Sequence, residues 1–416
     1  MIKKFLQFPK GFLWGTATSS HQVEGDCKTN DWSPEFFAQH QKELSWCRRA
    51  QEKIPPVGPA CAHYERYAED FVFLQKINTN AYRLSLEWAR LEPRQGEWDR
   101  DALAHYRAML VDLKSKNIQI FLTLHHFTNP GWLALIGGWE NPRAVKYFCR
   151  YAEFVASELG DLVDFWLTIN EPVGYVFCSY LHDFWPPLGR GLLAGWRVFW
   201  HLSRAHRRAY KIIHATVKRK FQRSVSVGFA NDFQAYVNYV KHRLFDQLYT
   251  YFLYQISNHS FYLLTGKKFH DFLAVNYYYP VRLRRRSTSL GTDEGRRTTA
   301  TNWLIYPHGI YEALIDLSVY RKPIYITENG IATDDDELRE RFIHEHLEEV
   351  YYALQAGADV RGYFYWSLLD NYEWAEGYRP KFGLVGLEEK TADRQPKKSA
   401  FYYATITKSN GLWLDY

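Results

Sequence analysis

Glu171 and Glu328 each stand at the end of an apolar, strand-like run and beside an asparagine. The first run, Val163 to Ile169, carries Asn170, Glu171 and Pro172; the second, Ile324 to Ile326, carries Thr327, Glu328, Asn329 and Gly330. A carboxylate delivered to the tip of a buried strand is poorly placed for ordinary surface solvation. Two of them, 157 residues apart and framed alike, point to convergence on one site. Paired carboxylates are the equipment of glycosidic-bond hydrolysis: one protonates the departing oxygen while the other attacks or stabilises the sugar cation. Either glutamate alone reads as a surface or helix-capping residue. The repeated framing and its surroundings carry the pairing.

Carboxylates so placed need strands to hold them. Strand-like runs lie near Phe12 to Ala17, Ala81 to Ser85, Ile118 to Leu124, Val163 to Ile169, Ser226 to Ala230, Phe272 to Asn276, Ile324 to Thr327 and Gly362 to Trp366. Helical periodicity fills the gaps, most plainly over Tyr64 to Ile77, Asp101 to Lys116, Pro142 to Leu159 and Asp336 to Ala356. Alternation of this length means a parallel sheet. Eight units without a glycine-rich phosphate loop predict one (β/α)8 barrel domain over residues 1–416 rather than an open doubly wound sheet. Such barrels keep their active sites at the C-terminal ends of the strands. Those ends carry Gln22 (a little past the first), Arg83, His126, Asn170 with Glu171, Asn231, Asn276 with Tyr278, Glu328 and Trp366. Polar, reactive side chains recur where a mere core would be apolar.

The bulk composition sets limits on class. A hydrophobic fraction of 46% supplies a large core, and 24% charged residues are ordinary for a soluble protein. The net charge of +6 comes with basic clusters at Lys218, Arg219 and Lys220, and at Arg282, Arg284, Arg285 and Arg286. These flank turn-rich stretches rather than a base-stacking element, so no nucleic-acid partner is expected. Five scattered cysteines without C-x-x-C spacing argue against a disulfide framework or a zinc site and fit a reducing compartment. Lys3 and Lys4 are followed by an apolar stretch broken at Gln7, Pro9 and Lys10, so neither a signal peptide nor a membrane span is expected. A cytoplasmic protein without cofactor or metal is the expectation. His344 and His346, two apart on a charged helical segment, are expected in solvent.

With these positions laid out, the chain resembles glycoside hydrolase family 1, the β-glucosidase and β-galactosidase family. Phe12-Leu13-Trp14-Gly15-Thr16-Ala17-Thr18, followed by Ser20-His21-Gln22-Val23-Glu24-Gly25, is similar to its N-terminal signature. Tyr82-Arg83-Leu84-Ser85 with Trp88 and Arg90, and Thr123-Leu124-His125-His126-Phe127 with Pro130 and Trp132, resemble its second and third strand patterns. Thr168-Ile169-Asn170-Glu171-Pro172 and Ile326-Thr327-Glu328-Asn329-Gly330 resemble its two catalytic signatures. Asn276-Tyr277-Tyr278 and Trp366-Ser367-Leu368-Leu369-Asp370-Asn371 with Glu373-Trp374 complete the set, in the family's order.

The resemblance implies Glu171 as general acid/base and Glu328 as nucleophile, supported by Arg83, Asn276 and Tyr278. Free glutamate titrates near ~4.3, so an acid working at neutral pH must be shifted upward, and the charge of a neighbouring carboxylate does part of this. Arg83 and Tyr278 would keep Glu328 ionised. A retaining enzyme would hold the two carboxyls about 5–5.5 Å apart and form a covalent glycosyl–enzyme. By the same resemblance, Gln22, His126, Asn170 and Glu373 hold the hydroxyls of the non-reducing sugar, with Asn170 on the 2-hydroxyl. Trp366 underlies the ring, Trp374 stands beside it, Trp303 flanks the leaving group and Phe382 contributes at the rim. Phe127 stands where the family usually has tryptophan, which removes an indole donor but keeps an apolar wall. The carboxylate of Glu373 disfavours a phosphorylated sugar and leaves glucose, galactose and fucose open.

The implied substrate is a small β-glycoside or oligosaccharide. A non-catalytic sugar-binding barrel and a transglycosidase are the competing readings; the intact pair of glutamates counts against the first, and no residue decides the second. The chain is short for the family, mainly between Asn231 and Asp271 and between Ile331 and Gly362. The shortened fifth βα connection leaves an aromatic-rich stretch (Tyr249, Tyr251, Phe252, Tyr254, Phe261, Tyr262), with a thinner or more mobile wall and an exposed apolar patch or added interface as its expected consequence, and with ordinary helix core favoured over partner contact for those aromatics. Amide exchange across 232–270 should then run faster than in the other barrel helices, and equal rates would contradict it.

Overall fold

A computed structural model describes residues 4–238, 244–284, 287–289, 299–388 and 391–414. Among them, eight parallel strands close a barrel: β1 (Leu13–Ala17), β2 (Ala81–Ser85), β3 (Gln119–His125), β4 (Phe165–Asn170), β5 (Ser226–Asp232), β6 (Leu273–Asn276), β7 (Ile324–Asn329) and β8 (Val360–Trp366). Each pairs with the next, and β8 returns to β1 with Gly362 opposite Leu13 and Trp366 opposite Ala17. One long helix follows each strand: α1 (His63–Lys76), α2 (Arg100–Ser115), α3 (Arg143–Leu159), α4 (Leu192–Phe221), α5 (Leu244–Thr265), α6 (His308–Leu317), α7 (Asp336–Gln355) and α8 (Lys398–Ser409). This is the (β/α)8 barrel that the alternation predicts.

Strand alternation sorts side chains into two cores. Outward residues such as Tyr82, Leu84, Ile120, Leu122, Trp166, Phe229, Ile326, Tyr363 and Tyr365 join the packing between strands and helices. Inward residues Leu13, Ala17, Ala81, Phe121, Phe165, Leu167, Ala230, Phe272, Ala274, Tyr325 and Phe364 form a separate cluster inside the barrel. Phe121 lies at its centre, with ring centroids 4.1 Å from Phe165, 4.7 Å from Phe364 and 5.3 Å from Tyr325. Gly15 makes room for this plug, because a Cβ there would stand 2.4 Å from the Phe364 ring. Two residues further along β2, β3, β6 and β8, the same inward face presents Arg83, Thr123, Asn276 and Trp366. An aromatic floor thus carries a polar layer.

Two register shifts aim the carboxylates. β4 slips against β5 between Leu167 and Asn170, and β7 slips against both neighbours after Ile326. Such bulges re-aim side chains at strand ends, and here they fall just ahead of Glu171 and at Glu328.

Several expectations meet the structure differently. His344 and His346 are buried rather than solvated: His344 bonds the Tyr402 hydroxyl at 2.7 Å and His346 the Phe342 carbonyl at 2.8 Å. Their stretch of α7 faces α6 and α8, so charged neighbours along the helix do not report its inner side. Lys218, Arg219 and Lys220 do lie in solvent, at the C-terminus of α4, where cations favour the helix dipole. Of the second basic cluster, Arg282 and Arg284 stand on the strand Pro280–Arg284, while Arg285 and Arg286 lie outside the described residues.

The aromatic-rich stretch forms α5, although residues 239–243 of 232–270 lie outside the described residues. Leu248, Tyr249, Tyr251, Phe252, Ile256 and Leu263 are exposed, which is the anticipated apolar patch. Phe261 and Tyr262 are buried against Phe229, so one side of the helix still seals β5. Phe261→Ala should therefore cost about 3–5 kcal/mol of stability, whereas Phe252→Ala should stay within about 0.5 kcal/mol. Denaturant unfolding of the two variants checks this, and equal losses would contradict the assigned inner and outer faces.

Candidate active site

The polar layer is organised around the buried guanidinium of Arg83 on β2. Its Nη1 donates to Oε1 of Glu328 and to the Thr327 carbonyl (3.2 Å), its Nη2 to Oδ1 of Asn170 (2.6 Å), and its Nε to Oγ1 of Thr123 (3.3 Å). Oε2 of Glu328 accepts from the Tyr278 hydroxyl at 2.6 Å. Nδ2 of Asn276 donates to Oε1 of Glu171 at 2.6 Å and to Oδ1 of Asn170 at 3.1 Å. The Thr327 hydroxyl donates to Oδ1 of Asn276 at 2.7 Å, which fixes the orientation of that amide. Glu171 and Glu328 are thereby tied into one network through Asn276, Asn170 and Arg83.

The two carboxylates live in different surroundings. Glu328 is buried and answered by a cation and a phenol. Glu171 is half-buried, and its carboxyl is held well above the ordinary range, first by burial and then by the charges of Glu328 and Asp232; the Asn276 bond and Arg83 oppose the shift. A protonated acid beside a paired carboxylate is the division that acid-assisted bond cleavage requires.

The remaining residues form a rim. Nδ2 of Asn170 donates to Nε2 of His126 at 3.2 Å, and burial with the nearby Arg83 pushes the imidazole well below its usual range, so the ring stays neutral. Nε2 of Gln22 donates to Oε2 of Glu373 (3.1 Å), to the Tyr372 carbonyl (2.9 Å) and to Oδ1 of Asn371 (3.2 Å). Burial, with Glu328 contributing, pushes the Glu373 carboxyl up to about 8. Trp366 and Trp374 lie nearly parallel to His126, with centroids 6.2 and 6.0 Å away. Trp303 approaches Tyr278 at 5.8 Å and Phe382 at 6.1 Å, and it packs on Tyr279 at 4.5 Å. Phe127 packs on Trp374 at 5.1 Å and on Trp185 at 4.7 Å, so Trp185 extends the wall where an indole is replaced. Apart from Asn231, the side chains singled out in the sequence come together in this cluster.

One strand end is reassigned. Asn231 turns outward and donates to the Asn258 carbonyl on α5 at 3.4 Å, while Asp232 lies beside Glu171. The period-two rule carries the signal: on β5 the inward residue Ala230 is followed two places on by Asp232 rather than Asn231. Thr327 and Tyr279 are further contributors, each adjacent in sequence to a recognised residue. Among the described residues no group of His, Cys, Asp and Glu side chains is arranged to hold a metal ion.

Comparison with known proteins shows what the whole chain is similar to. The family described as Glycosyl hydrolase family 1 matches residues 5–242 and 234–412. Beta-glucosidase A of Thermotoga maritima is 31% identical, over 98% of this chain and 99% of its own length. A beta-galactosidase of Sulfolobus acidocaldarius is 29% identical, over 98% and 96%. The structure of a beta-glycosidase from Pyrococcus horikoshii superimposes with a TM-score of 0.88 at 36% identity, covering 98% of this chain and 96% of that one.

Tyr278→Phe removes the phenol that bonds Oε2 of Glu328. A hydrogen bond to a charged group contributes about 1.5–3 kcal/mol, so kcat/KM on an aryl β-glycoside should fall roughly tenfold to a hundredfold. Steady-state kinetics checks this, and an unchanged kcat/KM would remove Tyr278 from the support of Glu328.

Proposed function

The chain belongs to glycosyl hydrolase family 1, and from that premise we propose that it is a retaining β-glycosidase. It releases terminal non-reducing β-D-glucosyl residues, and β-D-galactosyl or β-D-fucosyl residues, from small glycosides and oligosaccharides. The relatives named beta-glucosidase and beta-galactosidase support that range. The observation that carries the assignment is the joint network of Glu171 and Glu328, one carboxyl held above its ordinary range and the other paired with Arg83.

Glu171 gives its proton to the glycosidic oxygen while Glu328 attacks the anomeric carbon. The aglycone leaves as an alcohol, and the sugar is held as an ester of Glu328. Formation of the ester removes the negative charge on Glu328, so Glu171, now ionised, becomes a base of useful strength. It takes a proton from water as the oxygen attacks the anomeric carbon and the ester bond breaks. Two inversions return the β anomer. Asn170 meets the 2-hydroxyl; Gln22, His126 and Glu373 hold the outer hydroxyls; Trp366 and Trp374 supply apolar faces to the sugar, and Phe127 and Phe382 line the pocket. Trp303 flanks the leaving group. Five free cysteines support a reducing, cytoplasmic setting, and none of the described helices is long and apolar enough to cross a membrane.

Glu328→Ala should abolish turnover of nitrophenyl β-glycosides, with azide restoring it as the α-glycosyl azide. Glu171→Gln should slow hydrolysis of poor leaving groups far more than that of activated ones. Proton NMR of the first-formed sugar should show the β anomer. An α anomer as first product, or hydrolysis undiminished in Glu328→Ala, would overturn the assignment.

A further inference from the structure

Asp232 is the carboxyl of the site that double displacement leaves unused. It is the last residue of β5, and Nε2 of Gln234 donates to its Oδ2 at 3.1 Å. Oδ2 stands 3.5 Å from the point a Cβ on Gly174 would occupy, and Oε2 of Glu171 stands 3.5 Å from the same point. Both carboxyls therefore face the same spot on the helix Pro172–Val176, each at van der Waals distance from it. Oδ1 of Asp232 is buried without a hydrogen-bond partner among the described residues. That oxygen makes charging Asp232 costly, the Gln234 donor offsets the cost, and the carboxylate then acts on Glu171 as a neighbouring negative charge.

The groups facing this pair come from every surrounding element. Arg83 on β2 and Asn276 on β6 favour a charge on Glu171, while Glu328 on β7 and Asp232 oppose it. The Gly174 N–H and Gln234 favour a charge on Asp232, while burial and Glu328 oppose it. Cys178, Tyr236, Tyr262, Tyr278 and Tyr279 complete the shell; burial and these carboxylates raise the thiol and phenols above their usual ranges, so all stay neutral.

We propose that Asp232 is a positioning residue for proton transfer: held beside Glu171 by Gln234 and Gly174, it keeps the proton on Glu171 until the leaving group departs. The inference rests on Glu171 being the acid/base. It supplies what Glu328 cannot, because the charge on Glu328 vanishes in the glycosyl–enzyme while the carboxyl of Asp232 remains. Glu171 then faces the incoming water as a stronger base than it would be alone.

The pH dependence of kcat/KM, measured with a phenyl and a 2,4-dinitrophenyl β-glucoside, tests this in Asp232→Asn, Asp232→Ala and Glu171→Gln. Removing a negative neighbour lowers the pH at which Glu171 loses its proton. The alkaline limb for the phenyl glucoside should move down by roughly one pH unit in both Asp232 variants, a tenfold loss on the alkaline flank. The dinitrophenyl glucoside, whose aglycone leaves without a proton, should keep its kcat/KM. Two folded variants with the limb unmoved would overturn the proposal, even if kcat falls. A limb that survives in Glu171→Gln would overturn its premise instead. Thermal unfolding of each variant separates lost folding from lost proton control.

Discussion

A guanidinium sealed inside a barrel must be matched almost donor for donor, and Arg83 meets that demand with the groups that do the chemistry. Its partners are Glu328, Asn170, Thr123 and the Thr327 carbonyl, drawn from β3, β4 and β7. Removing one member of a buried ion pair leaves an uncompensated charge and costs about 3–5 kcal/mol. Folding and catalysis therefore depend on the same contact. Asn170 cannot turn away to serve a sugar alone, because Arg83 and Asn276 both hold its Oδ1, leaving Nδ2 for His126.

The barrel below explains why the polar layer can exist. Phe121, Phe165, Phe272, Tyr325 and Phe364 fill the interior beneath it, so the charges rest on a dry, close-packed floor. That packing raises the cost of an unmatched charge and strengthens each matched one. Some strained backbone lies in the same layer. Glu171, Phe127 and Trp374 all adopt left-handed backbone, at φ 42°, 71° and 49°, which costs an ordinary side chain about 1–3 kcal/mol each. Gly330 marks the tightest approach: a Cβ there would stand 1.8 Å from the Trp366 carbonyl oxygen. The strand that delivers Glu328 and the strand that delivers Trp366 close on one another only because of that glycine.

Much of this was legible in the sequence because one rule governs both levels. Parallel strands buried on both faces read as apolar runs, and polar residues at their ends stand out against that background. All eight strands and the clustering of the paired glutamates followed from it. What escaped depended on facing rather than on position. Asn231 and Asp232 are equally plausible strand ends by composition, and only the inward Ala230 separates them. His344 and His346 sit among charges along α7, yet three-dimensional packing against α6 and α8 decides their burial. The apolar outer face of α5 was visible as an excess of aromatics, but which of them turn inward was set by contact with Phe229.

Glu373 shows how the finished site refines an argument that residue type alone supports. A carboxylate there would repel a phosphorylated sugar by charge. With its carboxyl pushed up to about 8, however, Glu373 is mostly protonated at neutral pH and repels little. It can instead donate as well as accept, which suits a pair of sugar hydroxyls. Discrimination then rests on what the site can match. Arg83 is the cation bonded into this cluster, and its donors are committed to Glu328, Asn170, Thr123 and Thr327. A phosphate dianion would surrender its hydration without a free cation among the described residues of the cluster to replace it. A neutral sugar gives up only hydroxyl–water bonds, and Gln22, His126 and Glu373 can return those one for one.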